Sequence, residues 1–130
     1  MRSDFIQYIR GVNLNGLTVS NELPFDDAGQ PLYMRNNRSV YVNVPQILTE
    51  PLISAMDGLN IQLQTTSVSY FFSTDAKNIP ANYASIVENI SSVKDAGLIP
   101  GVNSRTANVS TEYVADKLVT EVEIRLTNIV

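Results

Sequence analysis

The segment LVTEVEIRL, Leu118 to Leu126, alternates between two kinds of side chain along nearly its whole length. Leu118, Thr120, Val122, Ile124 and Leu126 fall on one side of an extended chain. Val119, Glu121, Glu123, Arg125 and then Thr127 fall on the other. Successive side chains of a strand point to opposite faces, so the pattern predicts a strand with one dry face and one wet face. An antiparallel sheet with its core on one side has that character. Just upstream, Ala115-Asp116-Lys117 reads as a hairpin connection, and Ala107 to Tyr113 as the partner strand.

Working towards the N-terminus, a helix is predicted from Pro80 to Ala96. Ile79, Tyr83, Ile86, Val87, Ile90 and Val93 recur at steps of three and four, Pro80 suits a first turn, and Gly97 is a stop. Ile61 to Ser73 reads as a long strand. Val68, Tyr70 and Phe72 share one face of it; Ser67, Ser69 and Phe71 share the other. Thr49 to Gly58 suggests one or two helical turns around Leu52, Ile53 and Met56. Val40 to Val44 alternates, with three valines on one face, and Pro45 ends it. Asn36-Asn37 is a turn candidate, and Leu32-Tyr33-Met34 reads as a short strand. Asn21 to Pro31 is dense in turn formers. At the start, Ser3 is placed to cap a short helix carrying Phe5, Ile9 and Val12, broken by Gly11 and the NLNG run from Asn13 to Gly16.

Strands and helices do not alternate regularly in this order, which argues for an α+β fold. The expectation is a single domain over residues 1–130. It has a mostly antiparallel or mixed β-sheet, one long amphipathic helix packed across it, and a short N-terminal helix. A chain of 130 residues with 44% apolar content can build one core and has little room for two.

Composition narrows the function. Charged residues are only 17% of the chain, and Asn, Ser and Thr fill the gap. A polar, weakly charged surface suits subunit contacts, because burying an amide or hydroxyl costs less than burying a charge. The net charge is −4 and the pI about 4.6. The basic residues are scattered, with only Arg35 and Arg38 close together, so a grip on nucleic acid is not expected. DNA passing through an acidic or neutral channel remains compatible. MRSDFIQYIRGV has no signal-peptide core, and no apolar run approaches a membrane span. Synthesis and use in a cytoplasm are expected, and the sequons at Asn37, Asn89 and Asn108 then carry no weight.

The usual catalytic parts are missing. The chain has no histidine and no cysteine, which removes the common general base, thiolate chemistry and the commonest zinc ligands. It has no Walker loop and no GxGxxG. Asp26, Asp27 and Gly29 look distantly like the start of a calcium loop, but the twelfth position counted from Asp26 is Asn37 rather than glutamate. A turn with side-chain caps is the simpler meaning. Glu121 and Glu123 lie on one strand face, where a solvated face with Arg125 is the plainer reading than acid–base work. No enzymatic activity, cofactor or metal is expected. Of the tyrosines, Tyr70 and Tyr83 are core candidates, and Tyr33, Tyr41 and Tyr113 are better suited to an interface.

The segments SVSYFFSTDAKNIPANYASIVENI (67–90) and STEYVADKLVTEVEIRL (110–126), with the order of elements around them, resemble the tail-terminator proteins of long-tailed bacteriophages, the lambda type. The stretch LPFDDAGQPLYMRNNRSVYV is longer than that family's pattern leads one to expect. The resemblance implies a homohexameric ring that caps the finished tail tube, halts its polymerisation and offers its other side to head-completion proteins. It also implies a sheet towards the ring interior, DNA passing only through the lumen, and a place in the virion at the tail–neck junction after assembly in the bacterial cytoplasm. On that reading Asp26, Asp27, Arg35, Asn36, Asn37 and Arg38 are candidate contacts to tube or neck. Tyr33, Tyr41, Tyr113, Glu121, Glu123 and Arg125 are candidate contacts between subunits. Other small phage connector or minor tail proteins share this size and composition. A small enzyme using carboxylates and a monomeric binding module are the remaining classes.

Overall fold

The computed structural model describes residues 2–14, 16–54, 60–77, 79, 81–91 and 102–129. Helix α1 (Arg2–Arg10) leads to strand β1 (Thr18–Ser20), a 3₁₀ turn at Leu32–Met34, and strands β2 (Ser39–Val42), β3 (Gln46–Ser54) and β4 (Asn60–Asp75). Helix α2 (Tyr83–Ser91) and strands β5 (Val102–Val114) and β6 (Lys117–Ile129) follow. The strands form one sheet in the order β1-β2-β4-β6-β5, with β3 also paired to β4.

The long hairpins organise everything else. β4 and β6 pair antiparallel without a break from Leu63↔Ile129 to Asp75↔Lys117. β5 extends the sheet on the far side of β6, antiparallel again. β2 and β3 lie end to end along the other side of β4. β2 pairs with Tyr70 and Phe71, and β3 with the stretch from Asn60 to Ser67. Asn43–Pro45 joins them, held by the Asn43 N–H donating to the Ser69 carbonyl at 3.0 Å.

The main core sits on one face. Val40 and Val42 of β2, Val68, Tyr70 and Phe72 of β4, and Val122, Ile124 and Leu126 of β6 are buried under Phe5, Ile6 and Ile9 of α1, Leu14, and Ile86 and Ile90 of α2. Each such side chain contributes roughly 1.5–3 kcal/mol on burial, which is why the alternation in β4 and β6 fixes their register. The expected strand faces agree: Val68, Tyr70 and Phe72 are inward, and Val119 shares the opposite face with Glu121 and Glu123.

The expected fold class needs correction. Among the described residues the chain is mostly β-sheet with two short helices, and no long amphipathic helix crosses the sheet. α2 spans only Tyr83–Ser91; Pro80, the stretch 92–96 and Gly97 lie outside the described residues. The physical reason is packing. Among the described residues of the apolar stripe Ile86 and Ile90 are buried, Tyr83 and Val87 are half-buried and Ile79 is exposed, so the packed part of the stripe is short.

Other elements differ too. The turns expected around Leu52 and Ile53 are strand, in β3, where pairing with β4 satisfies backbone groups that isolated helical turns would leave open. Pro51 is accommodated by a register shift between Pro51 and Ile53; Met56 and Gly58 lie outside the described residues. Leu32–Met34 is a 3₁₀ turn rather than a strand, closed by the Arg35 N–H donating to the Leu32 carbonyl at 3.0 Å. Ser3 lies inside α1 instead of capping it. Val44 is 54% exposed because β2 stops at Val42.

The β5–β6 connection is a two-residue turn, Ala115-Asp116. Ala115 has φ of +54°, in the left-handed region that costs an L-residue roughly 1–2 kcal/mol. Ala115→Gly is expected to raise stability by about 1 kcal/mol. Urea unfolding measures it: the midpoint rises with an unchanged slope. A lower midpoint would show that the turn carries no strain.

Candidate functional site

The face of the sheet opposite the helices divides into two parts. The upper part is covered by the segment 21–38. Phe71 of β4 stacks on Tyr33 with centroids 5.0 Å apart, and Phe25 meets both rings edge-on, at 5.6 Å from Phe71 and 5.7 Å from Tyr33. Tyr41 and Val119 complete a small second cluster with Leu32, Met34 and Val114 at its margin. The Ser73 hydroxyl donates to the Tyr33 carbonyl, tying the 3₁₀ turn to β4.

Tyr33 and Tyr41, expected at a subunit interface, are therefore buried within the chain's own fold. Tyrosine chemistry suggested an interface for them, but the loop folds back and dries that part of the face. Burial pushes the Tyr33 phenol above its ordinary pKa, and the nearby carboxylates of Glu121 and Glu112 add to the rise. Tyr113 is 70% exposed at the outer edge of the sheet.

The loop before Tyr33 is a built turn. Asp26 Oδ1 accepts the N–H groups of Ala28 and Gln30 at 3.0 and 2.8 Å, which is the side-chain cap expected there. Gly29, at φ +79°, closes the turn through its N–H to the Asp26 carbonyl, at 2.9 Å. Asp26 Oδ2 also meets the Arg35 guanidinium at 3.5 Å, so two of the expected tube-facing groups stand together. Both are partly exposed, and such a pair adds little to stability. Asp27, Asn37 and Arg38 are exposed; Asn36 is also exposed, and its Oδ1 accepts the Arg38 N–H at 3.0 Å.

The lower part of this face is open. Gln46, Leu48 and Glu50 of β3, Thr65, Ser67 and Ser69 of β4, and Glu121, Glu123 and Arg125 of β6 line shallow concavities along it. By cross-strand pairing, Thr106, Asn108 and Ser110 of β5 continue the same surface. Ser69 Oγ donates to Glu121 Oε2 at 2.8 Å, and Arg125 Nε donates to Glu123 Oε1 at 2.8 Å. The three predicted β6 residues thus share a surface, and its chemistry is hydroxyls, amides and carboxylates with one guanidinium and the apolar side chain of Leu48.

Among the described residues no group of three or more Asp and Glu side chains converges as a metal cage, and no helix is long and apolar enough to cross a membrane. The sequence reading missed β3 and its exposed Ile47 and Leu48. It also missed Arg2, whose Nε donates to the Val42 carbonyl at 2.9 Å while its terminal nitrogen reaches the carbonyls of Asn21 and Glu22 at 3.1 and 2.9 Å. Nothing local signals Arg2, since its partners are remote in sequence. No family model matches the chain, and no curated protein matches it.

Proposed function

We propose that this chain is a structural, non-enzymatic subunit of a ring of the tail-terminator kind, which caps a phage tail tube and provides the surface for head–tail joining. The observation that carries the reading is the open half of the sheet. One face of β4 and β6 is packed under the helices, whereas the other is a broad open surface of Ser, Thr, Gln, Asn and Glu with Arg125 and Leu48 among them. Open concavities of that kind lack the enclosed, mostly apolar lining that tight small-molecule sites have. The surface suits the wall of a water-filled lumen instead. Its carboxylates repel phosphate, and its small hydroxyls offer no aromatic platform on which a base could stack.

In this reading the sheet faces the lumen, DNA slides past without being held, and the ring is homo-oligomeric, with hexamer as its expected order. Asp26, Asp27, Arg35, Asn36, Asn37 and Arg38 remain the candidate contacts to the tube protein or to a head-completion protein. Their loop stands on the same side of the sheet as the open surface, anchored by Phe25 and Tyr33. The protein's place would be the tail–neck junction of a virion. The resemblance in the segments 67–90 and 110–126 supports terminator over another connector.

Native mass spectrometry and negative-stain imaging of the purified chain test it. Rings with a central hole, and a mass several times 14.3 kDa, are expected. A monomer over the whole accessible concentration range would sink the reading in favour of a monomeric binding module.

A further inference from the structure

We propose that copies of this chain join edge to edge, the outer edge of β5 pairing antiparallel with the outer edge of β3 of the next copy. The proposal rests on the ring reading above and specifies how that ring is built.

The backbone directions follow from the hairpin. The Asp116 carbonyl accepts the Ala76 N–H, so Asp116 turns its backbone towards the β4 side. Lys117, the next residue, turns towards β5, where it pairs with Val114 across the two-residue turn. Backbone direction alternates along a strand. Val114, Glu112, Ser110, Asn108 and Thr106 therefore bond inward to β6, and Ala107, Val109, Thr111 and Tyr113 hold their N–H and C=O groups outward. Beyond β5 the sheet has no further described strand, and the same is true beyond β3.

Each edge has an irregularity at one end, between Pro51 and Ile53 on β3 and between Val102 and Ser104 on β5, and among the described residues no segment covers the regular stretch that remains. Natural sheets blunt a free edge with proline, lysine, a bulge or a covering segment. The outward set of β5 contains none of these residues, and residues 106–113 are all exposed. β3 has its irregularity only at Pro51, which leaves Gln46 to Glu50 regular and exposed. The exposed large apolar residues of the strands sit at these same two edges: Ile47 and Leu48 on β3, and Val109 and Tyr113 on β5.

The occupant is a second copy in the same orientation. β3, β4, β6 and β5 alternate in direction, each pair antiparallel. A neighbour related by rotation about a ring axis therefore presents β3 antiparallel to β5, with the polar faces of both sheets on one side. Such a contact is head-to-tail, uses both bare edges and closes by rotation. A two-fold β5–β5 pair would leave Ile47 and Leu48 uncovered.

The test uses two variants of the full chain, read by native mass spectrometry. Val109→Pro removes an N–H that turns away from β6 and makes no bond among the described residues, so it should melt as the wild type does yet lose all ring species. Ile47→Lys charges the β3 edge and should also give monomers. Mixed, the two retain one intact β5 and one intact β3, and should recover a one-to-one heterodimer and nothing larger. Val109→Lys supplies the β5 arm if the proline variant melts early. Rings of normal mass from a folded β5-edge variant, or a mixture that stays monomeric, would overturn the edge pairing while leaving the ring intact as a reading. A wild-type chain that never passes the monomer would remove both.

Discussion

Ile90→Asp is expected to leave no cooperatively folded protein at 25 °C. Ile90 is fully buried on α2, within the cluster that includes Val122, Ile124 and Phe72. The substitution forfeits about 2 kcal/mol of apolar transfer and adds the several kcal/mol of a buried, unpartnered carboxylate. A domain of this size has roughly 5–15 kcal/mol in total, so the loss approaches or exceeds what is there. Near-UV circular dichroism and thermal melting report it directly, with exposed Glu88→Ala on the same helix as a control within about 0.5 kcal/mol of wild type. Wild-type melting of Ile90→Asp would mean that α2 does not pack on the sheet.

Phe71→Ala should act on the other face and in a different manner. Phe71 is buried between Tyr33 and Phe25, and its removal is expected to cost about 3–5 kcal/mol including the lost ring contacts. The main core on the helix side keeps all its members, so the sheet should survive with a lowered melting temperature. The segment 21–38 loses its central anchor. Hydrogen exchange should show amides such as Leu32 and Gly29, which bond within that segment, exchanging far faster, while Val122 and Ile124 lose protection only in step with global stability. Uniform loss of protection over the chain would show that the loop and the sheet are one cooperative unit.

These two substitutions also mark how unevenly the molecule was legible. Ile90 is readable from its own neighbourhood, because a stripe at steps of three and four has one place to go. Phe71 is not. It stands in sequence between Ser69 and Ser73, on the face that alternation marks as wet, and so do Tyr41 and Val119. What makes that patch dry is a loop some forty residues upstream of Phe71 in sequence, folded over it by Phe25 and Tyr33. Residue type alone put Tyr33 and Tyr41 at an interface, and local pattern alone read Leu52 and Ile53 as helical when their neighbour in β4 makes them strand. The candidate site was legible in its acidic line, Glu121 and Glu123, and in the capped turn at Asp26. Its extent across β3 and β5 was not.

By itself the sequence determined the faces of the long strands, the hairpin at Ala115-Asp116, and the absence of histidine and cysteine chemistry. Those follow from local parity, turn chemistry and composition, which need no partner. Only the tertiary structure decided how far α2 extends within the described residues, that 49–54 is strand, and which tyrosines are covered. A short segment takes the conformation that its non-local neighbours stabilise, since its own preference amounts to a few tenths of a kcal/mol per residue against several for burial and pairing.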